Sequence, residues 1–170
     1  MGFLCGPDPP AVMIQRIQTV YLSISALCAA IPVMLSAVIV SLSVADSVYQ
    51  LRPLGIYLLN EGVPTLVLNA YPLAAASVLI IILSLYAIFQ FSNRKFQIIL
   101  ARVGQLAHLL QVGFVMFYMD KMEELANATD VHGNPSLWLL LPCVGLITSF
   151  LAVRAIQKDD ELVRSADRLR

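Results

Sequence analysis

Charged residues are scarce in this chain, at 13% of its 170 residues. Because a soluble domain carries about 25% charged residues, this scarcity argues against a soluble protein. Hydrophobic residues make up 59% of the chain, and its mean hydropathy is +0.79. The composition therefore predicts an integral membrane protein.

Catalytic motifs are missing as well. The sequence contains no P-loop, no dinucleotide-binding glycine motif, no H-E-x-x-H and no G-x-S-x-G. Two of its three cysteines fall inside apolar runs, which leaves no disulfide framework. No basic stripe with interleaved aromatic residues supports nucleic-acid binding. We predict a protein that is not an enzyme, carries no cofactor or metal and binds no nucleic acid.

What the sequence does have is four long apolar runs. A helix needs about 20 residues to cross the hydrocarbon core of a bilayer, and each run reaches this length. They predict an all-α fold, a polytopic bundle of four transmembrane helices. The predicted spans are residues 17–44, 72–91, 96–118 and 136–156.

The first apolar run has a second interpretation. The Ser-Val-Ala sequence at residues 43–45 is typical of a signal-peptide cleavage site. Secretory apolar regions usually have only about 7–15 residues, so we favour a retained helix. The polar segments at residues 46–71 and 120–135 are then predicted to be exported loops.

Positive charge is sorted to one side of these spans. That side has nine Lys or Arg residues, whereas the other has only Arg52 and Lys121 beside six acids. Because Lys and Arg accumulate in cytoplasmic loops, we expect both termini in the cytoplasm and a location in a bacterial inner membrane. The nine cations are Arg16, Arg94, Lys95, Arg102, Arg154, Lys158, Arg164, Arg168 and Arg170.

The third apolar run contains a polar face. Arg102, Gln105, His108 and Gln111 recur at every third position, and on a helix with 3.6 residues per turn they stay within one half of the circumference. We expect this face to point into the bundle. Ionisable groups inside a membrane are candidates for function. The face therefore indicates either a path for a proton or small solute or a structural cluster of hydrogen bonds.

A metal or haem site is a further hypothesis. At 1.5 Å per helical residue, Cys28, His108 and Cys143 are all predicted near the middle of the bilayer. Thiolate and imidazole are good ligands for zinc, copper and haem iron. Membrane helices also accept cysteine as a small hydrophobic residue, and a lone histidine usually bonds a neighbouring helix. We favour the structural interpretation.

The C-terminal residues 157–170 have an amphipathic helical pattern, with apolar residues on one face and charges elsewhere. This tail is predicted to be either a solvated continuation of the fourth helix or a docking surface. Its mixture of acids and arginines argues against simple binding to anionic lipid. The candidate partner-binding residues are Arg164, Asp167, Arg168 and Arg170.

Three segments carry a family resemblance: MIQRIQT at residues 13–19, NRKFQ at residues 93–97 and KDDELVRSADRLR at residues 158–170. Together they resemble a Bacteroidetes family of uncharacterised four-helix membrane proteins, a domain of unknown function. The resemblance covers residues 13–170, implies topology and lineage, and transfers no catalytic residue. It also implies a native start at Met13, so that residues 1–12 are an N-terminal extension, residues 13–156 the transmembrane domain and residues 157–170 the cytoplasmic tail.

A structural role remains as the predicted function. Gly145 and Ser149 have the four-residue spacing of small residues that lets membrane helices approach closely. We predict an accessory subunit, surrounded by the lipid bilayer, that packs against a membrane-protein partner or against itself. The alternative is a small channel or carrier that uses Gln105, His108 and Gln111.

Overall fold

The computed structural model describes residues 11–44, 47–60, 62–90, 93–127 and 133–168. It consists of four helices, five strands and one short 3-10 helix, Leu137–Leu139. In chain order the helices and strands are α1 (Ala11–Met34), β1 (Val40–Val44), β2 (Ser47–Arg52), β3 (Gly55–Asn60), β4 (Val63–Asn69), α2 (Tyr71–Phe89), α3 (Arg94–Leu125), β5 (Asn134–Pro135) and α4 (Leu140–Arg168).

The four helices are long and apolar enough to cross a membrane. They form a ring in the order α1, α2, α3, α4, because each packs against the next and α4 packs against α1. Many of their large apolar side chains, such as Leu27, Ile82, Leu106 and Ile147, are exposed on the outside of the ring. This confirms the prediction of four helices of membrane-spanning length.

The prediction of an all-α fold is wrong, because the structure is α+β. Strands β1 to β4 form an antiparallel meander, and β5 pairs with the free side of β1, which gives the order β4-β3-β2-β1-β5. The register pairs Leu42 with Tyr49 and Gln50 with Tyr57. The sheet occupies most of the segment at residues 46–71 that the sequence predicted to be an exported loop.

Helix α1 ends at Met34, well before residue 44, because the chain turns into a left-handed conformation. Ser36 has a φ of 45°. Its N–H donates to Val33 O at 3.2 Å, and the next N–H, of Ala37, donates to Pro32 O at 2.9 Å. This pair of hydrogen bonds is the Schellman arrangement that commonly ends a helix.

The rest of the first apolar run is strand β1. Its sequence, Val-Ser-Leu-Ser-Val, alternates apolar and polar residues with the period of a strand. Val40 and Leu42 are fully buried, and β1 pairs with both β2 and β5. Residues 40–44 are therefore part of the sheet and not of a membrane-spanning helix, which corrects the predicted span at residues 17–44.

Helix α3 supports the sheet. It continues past residue 118, the predicted end of its span, to Leu125. The buried side chains Leu51 and Ile56 from the sheet share one apolar cluster with Val115 and Met122 from α3. The sheet therefore stands at one end of the bundle, which we call the sheet end. The opposite end, where α2 turns into α3, is called the hairpin end.

Polar contacts hold α4 to the hairpin end. Arg94, at the start of α3, forms an ion pair of 3.2 Å with the buried carboxylate of Asp159 on α4 and also donates to its backbone oxygen. Nearby, Gln97 Nε2 donates to Ala87 O on α2 at 3.0 Å. The two Arg94 contacts hold α4 to α3 where α4 leaves the bundle, and the Gln97 bond holds α3 to α2.

Candidate functional site

A layer of polar side chains crosses the bundle core at the level of His108. His108 on α3 is fully buried, and its Nε2 shares a hydrogen bond of 2.9 Å with Oγ of Ser25 on α1. One turn further along α3, Gln111 Nε2 donates to Oγ of Ser77 on α2 at 2.8 Å. We call these four residues the polar layer. It joins three of the four helices.

The fourth helix completes the layer with a glycine. A Cβ atom at Gly145 on α4 would lie 2.9 Å from both ring nitrogens of His108 and closer still to Cε1. Real Cβ atoms do not approach other atoms this closely. The imidazole therefore lies directly against the α4 backbone, and only glycine leaves room for it at position 145.

Two polar atoms of the layer have no hydrogen-bond partner in the part of the chain that the structure describes. They are Nδ1 of His108 and Oε1 of Gln111. The two residues are three positions apart on α3 and so share one face of the helix. Leaving a buried polar group unsatisfied costs about 1–3 kcal/mol. The side chains of His108 and Gln111 also interact with each other, so the pair forms a polar contact inside the bundle core.

The Ser77 and Gln111 part of the polar layer lies about one helical turn nearer to the sheet end than His108. Ser77 is six residues into α2, which places it about 9 Å from the start of that helix at 1.5 Å per residue. An apolar cluster that includes Leu73 and Val115 covers the layer on the sheet side. Another cluster, with Leu22 and Leu100, packs the core toward the hairpin end. Among the described residues, apolar core therefore bounds the layer on both sides.

The predicted polar face of α3 points only partly into the bundle. His108 and Gln111 are buried, as expected, but Arg102 is exposed. Gln105 is half-buried and lines an open apolar groove of about 420 Å³ between α3 and α4. Four residues in steps of three cover half of the helix circumference, whereas the face that packs into the bundle is narrower. The core therefore accommodates only two of the four.

The structure does not bring Cys28, His108 and Cys143 together. Cys28 is buried, whereas Cys143 is exposed on α4. Over the described ranges, no group of three or more His, Cys, Asp or Glu side chains could hold a metal ion. The hypothesis of a metal site built on these three residues therefore has no support in the geometry.

Helix α4 carries the predicted tail out of the bundle without a break. Asp159 is buried at the hairpin end, and the side chains at residues 161–165 that follow are all exposed. Leu162 and Val163 are 47% and 41% exposed. The helix continues to Arg168, about 12 Å beyond Asp160 at 1.5 Å per residue. The tail is thus a projecting helix with exposed apolar side chains.

One of the four predicted partner-binding residues can be placed in full. Arg164 is exposed and forms an ion pair of 2.9 Å with Asp160, one turn earlier in the helix. Asp167 and Arg168 belong to α4, but their side chains lie outside the described residues. Arg170 lies outside them entirely.

A comparison with known protein families identifies the family of the chain. A family model described as a domain of unknown function (DUF4293) matches residues 14–169. The chain belongs to this family. No curated protein and no solved structure matches the chain. The match confirms the resemblance predicted from the two ends and the central hairpin, and the DUF4293 domain includes both the polar layer and nearly all of the tail.

In this DUF4293 bundle, the sequence did not reveal most of the residues that contact His108, Gln111 and Arg94. Ser25 and Gly145 are recognisable in the sequence only as small residues, and Ser77 has no periodic signal because it is an isolated hydroxyl in an apolar run. Asp159 is one acid among several in a charged segment. Which of these residues meets a partner depends on how the four helices are rotated, and helix rotation is a property of the packed bundle.

Proposed function

We propose that this protein is a small, non-enzymatic subunit of a bacterial inner membrane, and that its projecting α4 helix docks a protein partner on the cytoplasmic side. The observation that carries the proposal is the exposed apolar pair Leu162 and Val163 on a helix that has already left the bundle. An apolar helix face in water is commonly covered by a groove or a second helix of another protein.

Charge supports the orientation. The hairpin end holds Arg94 and Lys95, and the projecting part of α4 carries further cations. The positive-inside tendency of membrane proteins assigns such an end to the cytoplasm. The sheet, at the other end, then lies on the exported side of the membrane.

The charge of the tail favours a protein partner over a lipid surface. Acids and bases are mixed along it, as in Asp160, Glu161 and Arg164, and Asp160 already pairs with Arg164. Binding to anionic lipid depends on clusters of unpaired Lys and Arg. Mixed charges around an apolar pair instead resemble the rim and centre of a small protein interface.

The bundle supports the tail and does not resemble a pore. The Arg94 and Asp159 pair fixes α4 where it leaves the core, so the projecting helix has a defined direction. The polar layer is closed on both sides by apolar side chains in the described structure. This arrangement favours a structural role for His108 and Gln111 over the alternative of a channel or carrier.

The proposal is tested by purifying the tagged protein from its native membranes in mild detergent and identifying the proteins that co-purify. The test variant is Leu162→Gln with Val163→Gln. The matched control is Asp160→Gln with Arg164→Gln, which places the same number of glutamines on the neighbouring charged face of the helix and leaves the net charge unchanged.

A stoichiometric partner that is lost in the Leu162/Val163 variant and retained in the control would support docking through the apolar pair. Loss in the control alone would show that the charged face makes the contact. If no partner is recovered with the wild-type protein, the docking proposal fails.

A further inference from the structure

Among the described residues, the sheet end contains an arginine that no acidic side chain pairs with. Only Arg52 and Lys121 are cations on this side of the spans. Lys121 forms an ion pair with Glu124, whereas no acid pairs with Arg52 among the described residues. Its Nε is buried and has no hydrogen-bond acceptor in that part of the chain. A guanidinium without an acidic partner can donate hydrogen bonds to an anionic ligand.

The guanidinium is held in place on the sheet face that points away from α3. Neighbouring strand residues point to opposite faces, and Leu51 is buried toward α3, so Arg52 points the other way. Its Nη2 donates to Gln50 Oε1 at 2.8 Å, and its Cζ lies 5.3 Å from the centroid of the Tyr57 ring. These neutral contacts orient the arginine without cancelling its charge.

The position of Arg52 along the bundle axis is fixed by the next turn. Leu54 O accepts a hydrogen bond of 2.9 Å from the N–H of Ala70, and Ala70 directly precedes the membrane-spanning helix α2. The turn therefore lies where the span begins. Arg52 pairs with Gly55, the residue that follows Leu54, so it lies about one strand residue, or about 3 Å, from that level, and the headgroup region of each leaflet is about 5–8 Å thick.

The surroundings of Arg52 suit a lipid headgroup. Tyr71, at the start of α2, is 63% exposed, which is typical of the aromatic belt at a membrane surface. Leu54 is also exposed. Gly55, the cross-strand partner of Arg52, has the Leu66 side chain over it, and Leu66 is itself 50% exposed, so apolar side chains border the arginine.

We propose that Arg52 binds the phosphate of a phospholipid headgroup in the leaflet at the sheet end. The planar guanidinium fork matches phosphate geometry, and its depth places it among headgroups. This inference rests on the four helices spanning a bilayer and does not depend on the tail or on any protein partner.

The test is native mass spectrometry of the full-length protein purified in detergent and titrated with palmitoyl-oleoyl phosphatidylglycerol. We expect Arg52→Gln to lower the fraction of lipid-bound protein about tenfold, since a charge-assisted hydrogen bond of this kind has about that effect on binding. Arg52→Lys, which keeps the charge and loses the fork, should lower it less. Lys121→Gln removes a paired cation from the same end and should leave lipid binding unchanged.

Unchanged lipid binding in both Arg52 variants would overturn the proposal. If Arg52→Gln does not fold, unchanged lipid binding in Arg52→Lys alone would overturn it. Displacement of the lipid by millimolar inorganic phosphate would also overturn it, by showing a site for free anions. Recovery of an acidic protein bound through Arg52 in place of lipid would assign the arginine to a protein interface instead.

Discussion

Replacing Gly145 by alanine should destabilise the bundle through a single collision with His108. The added methyl group would occupy the space of the imidazole ring, so the ring must move or the two helices must separate. Overpacking of this kind costs about 1–3 kcal/mol. Loss of the Ser25 to His108 hydrogen bond adds about 0.6 kcal/mol, the average for bonds between membrane helices.

Helix propensity offsets part of this cost, since alanine is favoured over glycine by about 1 kcal/mol in a helix interior. The expected net loss is therefore about 0.6–2.6 kcal/mol. It can be measured by unfolding the protein with increasing SDS in mixed micelles, with the fluorescence of Trp138, the one tryptophan in the chain, as the signal. Gly113→Ala is the matched control, because a Cβ there meets no atom within 4 Å, and it should leave stability unchanged or slightly raised.

A second variant tests the cause of the loss. In a His108→Ala background the imidazole is absent, so Gly145→Ala should cost no further stability. If Gly145→Ala is as stable as wild type, or if its cost is the same with and without His108, the reasoning from the collision is refuted.

Two further predictions concern other parts of the bundle. Arg94→Ala should lower the free energy of unfolding by about 2–3 kcal/mol, because it leaves the nearly buried carboxylate of Asp159 without its partner. Arg164→Ala removes an exposed ion pair and should lower it by less than about 0.5 kcal/mol. Equal losses for the two variants in the SDS titration would contradict this prediction. In a Cys5→Ser background, N-ethylmaleimide should modify exposed Cys143 in detergent at least about tenfold faster than buried Cys28, as followed by peptide mass spectrometry; faster modification of Cys28 would show that the α1 packing is wrong.

The helices could be predicted from the sequence because hydropathy alone defines an apolar run. The sheet was missed for the same reason. Strand β1 continues the apolar run of α1, and a long hydropathy window does not separate a helix from a following strand. The alternation in Val40–Val44 and the turn residues Pro53 and Gly62 were signals that a strand-based reading could have used.

The end of α3 was misplaced for a different reason. Asp120, Lys121, Glu123 and Glu124 resemble a solvated loop by composition, but Met122 beside them is fully buried under the sheet. The charges lie on the remaining faces of a helix that has left the apolar part of the bundle. At the polar layer, the sequence identified His108 and Gln111 on α3 and could not supply Ser77 or the role of Gly145, because those depend on helix rotation.

Helix α3 is long enough to connect the two ends of the bundle mechanically. Its 32 residues extend about 48 Å at 1.5 Å per residue, from the Arg94 and Asp159 contact at one end to the buried Met122 beneath the sheet at the other. A tilt of about 5° around the hairpin end would displace the far end of such a rod by about 4 Å. A force applied where α4 leaves the bundle would therefore move the sheet at the far end of α3.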